Sequence, residues 1–173
     1  MIRLIDILKE ALTELADTNK SFHYYKGGDS VEKDDDEYSH GTIMYDFKTD
    51  NDLEYEVYLS YLSPNDDLYE FTDHDGQVVD IQFSAEGGYH ATNNPKELFP
   101  IMATIMKCAK DALSKHPFMY IVYAPSNTKG GGKKDPKGET QRTKLYDYYI
   151  KKDFPGSHTK VLHNGIVVTK LSK

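Results

Sequence analysis

The sequence predicts an α+β domain whose mixed, mostly antiparallel sheet carries packed helices. Three observations lead there. Between Ile43 and Tyr61 apolar and polar residues alternate with period two, the pattern of half-buried antiparallel strands. Between Pro95 and Lys115 apolar residues recur three and four apart, as on one face of a helix. A compact apolar run, a second helical segment and an Asn164-Gly165 hairpin signal then close the chain. Strands gathered first and helices afterwards argue for α+β rather than alternating β-α units. At 173 residues, one domain with a sizeable core is expected.

The elements follow in order. Ile2, Leu4, Ile5, Leu8, Ala11, Leu12 and Leu15 keep helical spacing, so residues 1–17 are expected to form an amphipathic helix. Phe22 to Tyr25 is expected as a short strand. Gly27 to Gly41, with Asp34-Asp35-Asp36-Glu37 inside it, reads as an acidic, solvated loop. Ile43, Tyr45 and Phe47 form one strand. Leu53, Tyr55, Val57, Leu59 and Tyr61 form the next, beyond a Thr49 to Asp52 turn. Leu68–Thr72 and Val78–Ser84 bracket Asp75-Gly76 and are expected to pair as a hairpin. Asn94 in the capping position, Pro95 at the first helical position and Glu97 two further on open the long helix. His116-Pro117 ends it, and Phe118–Tyr123 is an apolar strand. The helix Thr140–Lys152 is expected on the sheet face opposite the long helix. Strands around 158–162 and 166–171 complete the chain.

Charge is divided along the sequence. Residues 1–123 hold 10 Lys+Arg against 24 Asp+Glu, a balance of −14; residues 124–173 hold 11 against 4, a balance of +7. Such asymmetry points to an anionic partner for the basic part, or to association of the chain with itself. No apolar run is long enough to cross a bilayer, and no signal peptide is recognisable, so a cytoplasmic protein without a membrane partner is expected. The one cysteine, Cys108, falls on the apolar side of the long helix and is expected as a buried, inert thiol.

Several chemistries fail on spacing. Gly130-Gly131-Gly132-Lys133-Lys134 lacks the second glycine, lysine and hydroxyl of a nucleotide-binding phosphate loop. The seven histidines show no zinc-ligand spacing. Asp73-His74-Asp75-Gly76 imitates an EF-hand, but Phe71 and Gln82 occupy two positions that need carboxylates. No Ser-His-Asp or Cys-His set has a sequence context. As an anion-binding element, the basic loop 124–139 fares better. Lys129, Lys133, Lys134, Lys137, Arg142 and Lys144 can meet phosphates or an acidic protein surface, and the glycines let them adapt.

From Val78 to Leu171 the chain resembles the GNAT superfamily, the N-acetyltransferase fold. The likeness rests on a meander, a long helix, a strand, a second helix with Leu145-Tyr146 and a closing Phe154, and a final hairpin. It is also similar to GNAT-like proteins of unknown activity encoded by bacteriophages, where an arginine precedes Leu-Tyr as Arg142 does. The resemblance implies acetyl-CoA as cofactor, Tyr146 as the acid protonating the CoA thiolate, Asn127 beside the pantetheine and Glu86 as a base. Gly87, Gly88 and Asn94 stand in the segment where the family holds the pyrophosphate. The chain departs from the family in two ways. No glycines lie in the first turn of the long helix, where they allow close approach of the diphosphate, and the segment from Asn127 to Arg142 is longer than usual.

The expected function is therefore a noncatalytic binding or assembly protein without a cofactor, docking a protein partner or a second copy through its basic loop. An acetyl-CoA-dependent N-acyltransferase is the alternative. A nucleic-acid-binding accessory protein is the third reading.

Overall fold

The computed structural model describes residues 20–85, 95–124, 141–162 and 166–172. These form strands β1 (Tyr24–Asp29), β2 (Glu32–Lys33), β3 (Ser39–Lys48), β4 (Glu54–Leu62) and β5 (Val78–Ala85), helix α1 (Pro95–Lys115), strand β6 (Tyr120–Tyr123), helix α2 (Gln141–Asp153) and strands β7 (His158–Val161) and β8 (Val167–Lys170). The sheet runs β1-β3-β4-β5-β6-β8-β7, with β2 also pairing β3. Every pairing is antiparallel except β5 with β6. The fold is thus α+β, with a mixed, mostly antiparallel open sheet and two described helices. The expected helix over residues 1–17 lies outside the described residues.

Alternation on the strands decides the layers. Ile43, Tyr45 and Phe47 on β3, the odd residues Tyr55 to Tyr61 on β4, Val79 and Ile81 on β5, and Ile121 on β6 share one core. Ile101, Ile105 and Ala109 of α1 and Leu145, Tyr149 and Ile150 of α2 join it. Both helices therefore pack on the same sheet face, which corrects the expectation that they lie on opposite faces. The reason is chemical. The other face presents Asp46, Lys48, Glu54, Glu56 and Gln82, too polar to bury a helix. The helices also hold each other: the Tyr149 hydroxyl donates to the Phe99 carbonyl at 3.2 Å, and Lys110 pairs with Asp153. Cys108 is fully buried in this core, and burial followed by the Asp111 charge pushes its thiol up to about 12.

The second face is covered at one end. Leu62, Tyr69, Val78, Tyr120, Val122 and Val168 form a smaller apolar cluster there. Its lid corrects a second expectation, because Asp67–Phe71 is a 3-10 helix and not a strand. Asp66 caps it by accepting from the Leu68 N–H, and a local cap of this kind outcompetes a short alternating pattern. Tyr69 is turned onto the sheet, where its hydroxyl donates to the Gly76 carbonyl at 2.7 Å. Lys170 ties the following Asp73 and Asp75 to β8.

Of the acidic loop expected over Gly27–Gly41, the run Asp34-Asp35-Asp36-Glu37 is a turn with Asp35 to Glu37 exposed, while the residues on either side of it are drawn into strands. β1 reaches Asp29 through an irregularity between Lys26 and Gly28, β2 follows, and β3 begins at Ser39. Gly41 is needed there for close packing, not for looseness. It has φ 115°, and a Cβ would strike the Ser30 carbonyl. The chain enters β1 along the helix-bearing side, where the Phe22 N–H donates to Thr104 Oγ1 of α1 at 2.8 Å.

Candidate functional site

Two surfaces take up the residues singled out in the sequence. The first is the place where β5 and β6 part. β5 pairs along its whole length with β4, but with β6 only through Val78, Val79 and Asp80. β6 is four residues long and wholly buried, and among the described residues no strand pairs with the inner edge of β5 beyond Asp80. Because the pair is parallel, the carboxyl ends of β5 and β6 point the same way. The carboxyl ends of parallel strands are where open sheets with crossover helices commonly receive ligands.

Tyr146, in the second turn of α2, fills this opening. Its ring lies edge-to-face on Tyr123 at 5.2 Å and on Phe83 at 6.0 Å. The tyrosine is half-buried and packs against the sheet, a geometry that contributes to cohesion whether or not the hydroxyl does chemistry. Phe83 and Tyr123 were not singled out in the sequence. Only the register of a parallel pair brings them together, and no local motif encodes it. Asp80 sits nearby on the opposite sheet face. It is 8 % exposed, burial raises its carboxyl above the ordinary range, and Gln82 Nε2 donates to it at 2.6 Å.

The second surface is the outer side of α2. Leu145, Tyr149 and Ile150 turn inward, so Lys144, Tyr148 and Lys152, at four-residue intervals, turn outward on one stripe, flanked by Lys151. Tyr148 is 40 % exposed and stands edge-on against Tyr149 at 5.4 Å. Lys152 lies over the Tyr149 ring at 5.9 Å, and Lys151 pairs with Asp147 at 2.7 Å. Lysines in the last turn also suit the negative end of the helix dipole, which accounts for part of their placement. Lys144 was expected from the sequence as a partner contact. Lys152 was not singled out in the sequence, although counting by fours from Lys144 through Tyr148 finds it.

The remaining expected site residues divide plainly. Glu86, Gly87, Gly88, Asn94, Asn127, Lys129, Lys133, Lys134 and Lys137 lie outside the described residues. Arg142 belongs to the first turn of α2 by its backbone, and its side chain lies outside the description. Among the described residues no three His, Cys, Asp or Glu side chains are grouped as metal ligands, and no helix is long and apolar enough to cross a membrane.

The chain matches no family model, no curated protein and no solved structure, so the β5–β6 opening and the α2 stripe are the features from which a function is read.

Proposed function

We propose that this chain is a noncatalytic binding protein that docks an anionic partner through α2 and the basic loop leading into it. The observation that carries this reading is the outward stripe Lys144, Tyr148 and Lys152. In the sequence four further lysines, at 129, 133, 134 and 137, precede this helix, which is itself anchored to the core. An exposed tyrosine is a residue that contact surfaces favour, and the lysines beside it can meet an anion as point charges. Cations on a helix fixed by Leu145, Tyr149 and Ile150 steer an anion toward a rigid surface. The acidic remainder of the chain limits indiscriminate adhesion to polyanions.

A labelled heparin fragment is a suitable polyanion probe, titrated by fluorescence anisotropy in dilute buffer. Replacing Lys133 and Lys134 with Glu, or Lys144 and Lys152 with Glu, is expected to weaken binding by about tenfold each. Unchanged affinity in both variants overturns the proposal.

The parting of β5 from β6 beside Tyr146 favours a second reading, an acetyl-CoA-dependent acyltransferase on a GNAT-like fold. The order of elements from β3 onward supports that relationship, while the packed Phe83–Tyr146–Tyr123 rings and the lack of helix-opening glycines weigh against the chemistry. Calorimetric titration with CoA separates the readings. Saturable micromolar binding, with turnover lost in Tyr146→Phe, selects the enzyme; no heat at millimolar CoA retires it.

A further inference from the structure

Among the described residues, the half of the second sheet face beyond the 3-10 lid is uncovered and acidic. Register places Tyr25, Asp46, Glu56 and Ser84 in one row across four strands. Asp46 and Glu56 stand directly opposite each other, an arrangement that repels. Neither has an ion-pair partner among the described residues. Glu56 accepts only from the Tyr58 hydroxyl at 2.9 Å, and Glu54 shares Lys48 with Asp52 at 3.5 and 3.4 Å. Burial, followed by Glu56 and Glu54, raises the Asp46 carboxyl. At the end of the row Tyr25 is 65 % exposed.

We propose that this open face receives the α2 stripe of a second copy of the chain, producing head-to-tail association. The inference rests on the binding reading above and names the partner. Three observations select a second copy. The chain carries both halves of a charge-complementary pair, −14 over residues 1–123 and +7 over 124–173. The two surfaces lie on opposite sides of the sheet, since α2 packs on the helix-bearing face; one molecule cannot bring its own stripe onto its own acidic row. Finally, Tyr25 and Tyr148 are the large hydrophobic side chains that stand exposed among the described residues, and each marks one of the two surfaces. A tyrosine within a charged patch supplies apolar contact area at low entropic cost, which a purely solvated face does not need. The contact is heterologous, because the acidic row meets a different surface of its neighbour, and such contacts grow into rings or open chains.

Sedimentation velocity tests this directly. The wild-type protein is expected to shift to larger species as concentration rises from about 1 to 100 µM in dilute buffer, and to return to monomer at high salt. Asp46→Asn with Glu56→Gln, and separately Lys144→Gln with Lys152→Gln, each abolish growth. Mixed together, these two variants form a one-to-one complex and nothing larger, since each retains one working surface. A wild-type monomer throughout, or assembly unchanged by Asp46→Asn with Glu56→Gln, overturns the proposal and leaves the face to a different occupant. If the monomeric protein still binds heparin through Lys144 and Lys152, the anion-binding function stands and only the self-association falls.

Discussion

The two faces of this sheet are built from alternate residues of the same strands, yet they meet different fates. On β3 and β4, Ile43, Tyr45, Phe47, Val57 and Leu59 are almost wholly buried beneath the helices. Their immediate neighbours Asp46 and Glu56 face the other way as a directly opposed pair of carboxylates. The helix-bearing face does the folding: each fully buried Val, Leu or Ile contributes roughly 1.5–3 kcal/mol. The open face adds little and, at the Asp46–Glu56 pair, subtracts. A strand that tolerates repulsion on one side can do so because the other side holds it. Among the described residues nothing covers the repelling side at this pair.

The sharpest way to break the comparison is a truncation on the covered face. Leu59→Ala is expected to cost about 3 kcal/mol in urea denaturation, with the binding of heparin unchanged where the protein remains folded. Next comes the link between the faces and solvent at Tyr45, whose hydroxyl donates to Asp111 at 2.7 Å. Burial pushes the Asp111 carboxyl up, but the Lys115 and Tyr45 hydrogen bonds outweigh it and hold the group below its ordinary range. A depressed folded pKa contributes stability above the unfolded value that disappears as pH falls through the folded one. Tyr45→Phe should therefore cost about 1 kcal/mol at pH 7, a difference that shrinks in acid and is read from denaturation curves at several pH values.

On the open face the sign reverses. The Asp46 carboxyl is raised by burial, Glu56 and Glu54, so its ionised form destabilises the fold above the raised folded pKa. Asp46→Asn is expected to stabilise the protein by about 0.5 kcal/mol at pH 7, with the gain vanishing as acid protonates the wild-type group. A stabilising substitution on one face and a destabilising one on the other, within the same strand, is the signature of the division. Loss of stability in Asp46→Asn at neutral pH would contradict it.

Much of the fold was legible because it is local. Alternation marked β3 and β4, the Asp75-Gly76 turn marked where β5 begins, and Pro95 and Glu97 marked where α1 starts. The errors lie where local signals compete or are silent. Leu68 to Phe71 carries a strand-like composition, yet Asp66 supplies a cap that closes a 3-10 turn. The glycines at 27, 28 and 41 suggested a loop, whereas Gly41 serves a close backbone approach between β3 and the segment after β1. Periodicity shows that α2 has a buried side but not which face of the sheet receives it; polarity of the Asp46–Glu56 row decides that. The site was legible in the same uneven way. Lys144 followed from composition, but Lys152 needed the outward face of the helix, and Tyr123 beside Tyr146 and Asp46 opposite Glu56 required register across strands.

The most direct test of the anion-docking claim is the salt dependence of heparin binding to the wild-type protein and to Lys144→Gln with Lys152→Gln. Logarithmic affinity should fall linearly with logarithmic salt concentration, with a slope shallower by about two in the variant. Parallel lines, or no binding even in dilute buffer, would contradict the role assigned to α2.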